Sequence, residues 1–115
     1  MPPTPLPDVS TLLPLPTAVF HILVSLAGRD AHGYAIMQEV ATRAGVKMGP
    51  GTLYTTIRRL LEQGLVAELR TSPTSTEDDP RRRYYRLTPY GRAAARAEAA
   101  RLTDLVRQAR KLGLA

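Results

Sequence analysis

The chain has 115 residues, 16 Lys+Arg against 10 Asp+Glu, a formal net charge of +6, 43% hydrophobic residues and no cysteine. That length suits one domain with a modest core and leaves no room for a large active-site cavity, and without cysteine there are no disulfides, thiolate metal sites or cysteine nucleophiles. Fourteen of the sixteen cations are arginine, the better fork for phosphate and guanine edges, so the excess points to nucleic acid, or else to a generally basic surface.

Residues 1–16 hold six of the ten prolines. Such a stretch is expected to be an extended, partly disordered arm and not a helix. The longest apolar run, AVFHILVSLA, is too short to span a bilayer and contains His21. No Lys or Arg precedes Arg29, which argues against a secretory signal with a basic start. A soluble, cytoplasmic protein is the expectation.

The first helix is expected over residues 17–27, apolar on nearly every side and therefore mostly buried. Gly28 ends it, and Arg29-Asp30-Ala31 reads as a turn. The second helix, residues 33–44, places Met37, Val40, Ala41 and Ala44 at helical spacing, with Gly45 as its stop. The third carries Leu53, Ile57, Leu60 and Leu61 on one face and ends at Gly64.

Two strands follow. Leu65, Ala67 and Leu69 alternate with Val66, Glu68 and Arg70. Arg83, Tyr85 and Leu87 alternate with Tyr84, Arg86 and Thr88, which assigns Tyr85 to the core and Tyr84 to the outer face. The intervening SPTSTEDDPR is too long and polar for a tight hairpin. Thr88-Pro89 then opens a final helix, a cap followed by proline at the first helical position, running to about Leu112. The fold class is mainly α with a small β-hairpin. It divides into an arm (residues 1–16), a winged helix-turn-helix (17–88) and a C-terminal dimerisation helix (89–115).

The start of the third helix, Gly49-Pro50-Gly51, would break a helix interior. At a helix start it is apt: proline fits the first turn, and glycines leave no side chain between the helix end and an approaching phosphate. Opposite the apolar stripe lie Thr52, Thr55, Arg59 and Glu62, with Tyr54 and Arg58 on one flank. Threonine donates, accepts and offers a methyl to thymine, and arginine forks onto guanine. This helix therefore reads as one that enters a DNA groove, with Arg59 the base contact and Arg58 the backbone flank. The plainer reading is a stop-start signal beside a solvated surface, since many such modules bind only protein. Arg81, Arg82 and Arg83 at the far end of the hairpin suit a wing that reaches phosphates or the neighbouring minor groove. Pairing with Glu77, Asp78 and Asp79 is the local alternative.

In the last helix Ala95, Leu102, Leu105, Ala109 and Leu112 recur at a seam-like spacing that Glu98 interrupts, and Val106 widens it. Such a seam buries itself against a second subunit, against the chain's own first helix, or both. Leu102, Leu105, Val106, Ala109 and Leu112 are the dimerisation candidates. A two-fold dimer reads two half-sites about one helical turn apart. An effector pocket between the first and last helices would use Phe20, Val24, Leu105 and Ala109, residues that equally serve as interface packing.

An enzyme fits poorly, because there are only His21 and His32, no cysteine and no paired carboxylates on a shared pocket. His21 in an apolar helix reads as a hydrogen-bonded core residue. Neither cofactor nor metal is expected.

Five blocks stand in order along the chain: His32-Gly33-Tyr34-Ala35-Ile36, Gly49-Pro50-Gly51-Thr52-Leu53-Tyr54, Leu60-Leu61-Glu62-Gln63-Gly64-Leu65, Arg82-Arg83-Tyr84-Tyr85-Arg86-Leu87-Thr88 and Gly91-Arg92. In sequence and spacing they resemble the PadR family of bacterial transcriptional regulators. The resemblance implies a winged-helix repressor that dimerises on an inverted-repeat operator and is often released by a small-molecule effector. The single terminal helix looks like the short-tailed branch. By this resemblance Gly49 to Thr52 would meet phosphate, Tyr54 would contact DNA or brace the helix, and Arg82-Arg83 would sit on the wing. His32 and Tyr34 would fix the second helix, with a phosphate contact as the alternative. The arm departs from the pattern and takes no function from it.

Overall fold

The computed structural model describes residues 5–69 and 83–115. Four helices and three short strands follow one another as α1 (Thr17–Gly28), β1 (Ala31–His32), α2 (Gly33–Ala44), α3 (Pro50–Glu62), β2 (Val66–Leu69), β3 (Tyr84–Leu87) and α4 (Pro89–Lys111). Mainly helical, with a small antiparallel sheet, this is a winged-helix arrangement. Among the described residues no helix is long and apolar enough to cross a membrane.

The core is one cluster where all the elements meet. α1 supplies Ile22, Leu23 and Leu26, α2 Ile36 and Val40, and α3 Leu53, Ile57 and Leu60. Leu65, Val66, Tyr85 and Leu87 close it from the sheet and Ala94 from α4. Each fully buried Leu or Ile contributes roughly 1.5–3 kcal/mol. The apolar stripe of α3 is what orients that helix and turns its other face outward.

The helix ends follow their local chemistry. α2 stops at Gly45, which adopts φ 67 and donates its N–H to Ala41 O at 3.0 Å. Glycine meets that left-handed geometry at little cost. α4 starts at Thr88, whose hydroxyl accepts from Gly91 N at 2.9 Å, with Pro89 at the first helical position.

The structure departs from the sequence expectations at several places. Ala31 lies not in a turn but in β1, so the hairpin is part of a three-stranded sheet of order β1-β3-β2. Ala31 pairs with Tyr85 and His32 with Tyr84, while Val66 pairs with Leu87 and Leu69 with Tyr84. Tyr84 is buried and not on an outer face, because β1 covers it and His32 meets its ring edge-on at 5.4 Å. In α2 the buried positions are Gly33, Ile36 and Val40; Ala41 and Ala44 are exposed, the stripe having turned toward the N-terminal half. His21 is half-buried, and its Nδ1 has no hydrogen-bond partner among the described residues, contrary to a bonded core histidine.

Part of the proline-rich segment, from residue 5 on, is also structured. Residues Val9–Leu12 form a 3-10 turn, with the Asp8 carboxylate accepting from Ser10 N at 2.9 Å. Proline bars a long helix, but a single capped turn between prolines violates nothing.

In α4 the inward face is Gly91, Ala94 and Glu98. Glu98 does not merely interrupt a seam: it is buried (2% exposed) and paired with Arg101 at 2.6 and 2.9 Å. That guanidinium holds the Glu98 carboxyl below its ordinary value. The first half of α4 packs on α1 and β3, while Leu102, Leu105, Val106 and Leu112 are exposed on this single chain.

Candidate nucleic-acid interface

α3 presents an open N-terminus. Gly49 is its cap and makes no side-chain cap bond, Pro50 has no N–H, and Leu53 N bonds Gly49 O at 2.9 Å. The Gly51 and Thr52 amides therefore point out of the helix end without a side-chain acceptor. A Cβ at Gly49 or Gly51 would meet nothing within 4 Å. The space in front of these amides is open to a phosphate, and the helix dipole favours an anion there.

Outward from the core stripe, Thr52, Tyr54, Thr55, Arg58 and Arg59 are all exposed. Arg58 and Arg59 have no ion-pair partner among the described residues. The Thr56 hydroxyl is occupied, donating to Thr52 O at 2.7 Å. Thr52, Thr55 and Arg59 thus form one polar strip along the first three turns, free among the described residues, with Arg58 beside it.

Tyr54 has a second neighbour. A Cβ built on Gly33 would lie 2.8 Å from Tyr54 Cζ, so the phenol ring rests over the glycine that opens α2. His32 caps the same helix, its Nδ1 accepting from Ala35 N at 3.2 Å. The α2 start, the α3 start and β1 therefore meet at one corner.

The sheet is tied to that corner. Arg86 of β3 donates to both oxygens of Asp30, just before β1, at 2.7 and 3.2 Å. Nothing in the sequence pattern marks this pair, since its two members are far apart and each looks like an ordinary surface charge. Burial pushes the Tyr85 phenol above its ordinary value, and the Glu68 charge adds to this. On the wing side Arg83 is exposed and lies 3.4 Å from Glu68 across the strand pair. Arg81 and Arg82 lie outside the described residues, as do Glu77, Asp78 and Asp79. The α3 candidates and Arg83 belong to the winged-helix body, whereas Leu102, Leu105, Val106, Ala109 and Leu112 lie along the distal half of α4.

The model of the transcriptional regulator PadR-like family matches residues 22–97, a stretch running from α1 into α4. The chain belongs to the PadR-like family. It is 40% identical over 88 residues to the transcriptional regulator Rv3488 of Mycobacterium tuberculosis, covering 76% of this chain and 78% of that protein. A PadR family regulator from Eggerthella lenta superposes with a TM-score of 0.67 at 32% identity, covering 84% of this chain and 80% of that one. A PadR family regulator from Clostridium difficile shares the fold at a TM-score of 0.71 and 22% identity, over 82% of this chain and 95% of its own. PadR-like proteins are DNA-binding transcriptional regulators and not enzymes.

Proposed function

We propose that this PadR-like protein is a homodimeric, cytoplasmic repressor that inserts α3 into the major groove at each half of a palindromic operator. The observation that carries the reading is the uncapped start of α3 beside the free strip of Thr52, Thr55 and Arg59. Gly49, Pro50, Gly51 and Thr52 receive a phosphate, Thr55 and Arg59 face the bases, and Arg58 flanks the backbone. Tyr54 braces α3 against Gly33 with its exposed edge toward the DNA, and Arg81, Arg82 and Arg83 serve the wing. The exposed Leu102, Leu105 and Val106 of α4 are the natural seam for the second subunit, with Ala109 and Leu112 extending it. A small-molecule effector would enter beside that seam, where Phe20 and Val24 are half-buried and Leu105 is exposed.

The test is a gel-shift titration against the DNA upstream of the chain's own gene, with light scattering for the oligomer. Specific binding that weakens steeply with salt is expected, because phosphate contacts release counterions. A monomer at micromolar concentration leaving a single-half-site footprint contradicts the dimer. Salt-insensitive or absent binding contradicts the operator.

A further inference from the structure

The segment before α1 is anchored at three places: on the turn after α3, on the first turn of α4 and on the core. Leu6 lies over the turn that ends α3, its methyl carbons 3.6 and 3.8 Å from where a Cβ of Gly64 would stand. Tyr90, in the first turn of α4, donates its hydroxyl to Pro7 O at 2.5 Å. Further on, Val9, Leu12 and Leu13 pack against the core and Leu15 is buried. The Asp8-capped turn stiffens the run between these anchors, and Thr11 adds a bond from its hydroxyl to Asp8 O at 2.7 Å.

These anchors surround the root of α4. The same root is knit to the α3–β2 turn by Thr88, whose hydroxyl donates to Gly64 O at 2.6 Å. Past Glu98 the helix has little of its own subunit to lean on, since residues 102–108 are exposed on the single chain. Its direction is therefore decided at the base. α4 has 23 residues, about 35 Å of helix, so a tilt of roughly 10° at the root moves the tip by about 6 Å. That is nearly two base-pair steps at about 3.4 Å each.

We propose that residues 5–15 are a positioning strap. By bridging the Gly64 turn and the base of α4, they set the direction in which α4 leaves the winged helix, and with it the separation of the two recognition helices. The second half of this statement rests on the dimeric reading above; the first does not. Leu6 is 54% exposed, so the contact it makes is too peripheral to matter chiefly as core burial. Its effect is on orientation.

The experiment uses the full chain carrying Tyr90→Phe together with Leu6→Ala. Because the chain has no cysteine, spin labels placed through Gln63→Cys and Gln108→Cys report the angle between α3 and α4. Dilution with unlabelled chain keeps the reading within one subunit. The strap predicts a distance distribution broadened or shifted by several ångström. It also predicts that affinity for paired half-sites loses a preference of roughly tenfold for one spacing, while affinity for a single half-site stays the same. An unchanged distance distribution in the folded variant overturns the strap, even if the melting temperature falls. If the parent binds no DNA, the operator reading fails and the label distances still decide the strap. Should the double variant not fold, Leu6→Ala alone, at an exposed position, is read in the same way.

Discussion

The phenol ring of Tyr54 rests on Gly33, with Cζ 2.8 Å from the point a Cβ there would occupy. The contact joins the first turns of α2 and α3, the two helices whose mutual angle determines how α3 is presented. A methyl at Gly33 must push the ring, and because Tyr54 is 46% exposed the ring has somewhere to go. Gly33→Ala is therefore expected to cost only about 1 kcal/mol, at the low end of overpacking. Its effect on DNA affinity should be larger, since the displaced ring lies on the proposed DNA face. In a Tyr54→Ala background the same substitution should be nearly neutral for stability. A double-mutant cycle in urea reads the coupling, and additive effects would remove the bracing role from Tyr54.

Gly91 offers no such escape. An added Cβ would overlap the Leu65 carbonyl oxygen and come 2.7 Å from Leu87 Cδ1. Backbone cannot swing aside, so α4 must lift from the sheet. Helix propensity favours alanine over glycine by about 1 kcal/mol, yet Gly91→Ala should destabilise by about 3 kcal/mol or more on overpacking grounds. Thermal unfolding decides; a raised melting temperature would mean that propensity prevails and the close approach is soft.

Much of this architecture is legible in the sequence, for physical reasons that also explain the gaps. α2 and α3 are marked at their ends by Gly45 and by Gly49-Pro50-Gly51, and α3 by the Leu53/Ile57/Leu60 stripe, all local signals. β1 has no local signal, because two residues become a strand only through Tyr84 and Tyr85, which come much later in the chain. The docking of residues 5–16 is hidden for the same reason: proline content describes the free segment, while Tyr90 and Gly64 decide where it lies. Glu98 resembles a flaw in a seam because, although its partner Arg101 stands only three residues on, nothing local says that this face of α4 is the one packed inward. On α3 the sequence identifies which side chains face away from the core, and their exposure follows from the stripe.

Glu98 makes stability depend on pH. Its folded carboxyl is held below the ordinary glutamate value, first by the Arg101 hydrogen bonds, while burial opposes, and the Leu15 N–H adds a weaker pull in the same direction. A depressed carboxylate contributes stability that is fully present above its unfolded value. That contribution diminishes as pH falls through the folded value. The Glu98→Gln variant should be less stable at pH 7 by about 1–3 kcal/mol, and its deficit should shrink below about pH 4.3. Glu39 is also depressed, by the hydrogen bond from Arg43, so the parent-minus-variant difference is the quantity to follow. A deficit constant from pH 7 to pH 3 would exclude the charged pair as its cause.

The two adjacent arginines of α3 should separate by experiment. Both are exposed and unpaired among the described residues, so removing either leaves no buried charge behind and should change stability by less than about 0.5 kcal/mol. Arg59 lies opposite the Leu53/Ile57 stripe, where an inserted helix meets base edges. Arg59→Ala should weaken binding to the preferred operator by about 1–3 kcal/mol and relax discrimination at one base pair of each half-site. Arg58, on the flank, is placed for the backbone. Arg58→Ala should weaken all sequences alike and reduce the slope of log affinity against log salt by about one for each phosphate it no longer neutralises. Binding curves at several salt concentrations, on the preferred operator and on single-base variants, resolve the two effects. If the two variants exchange these behaviours, α3 sits in the groove rotated toward its Tyr54 and Arg58 flank, and Thr55 would then no longer face a base.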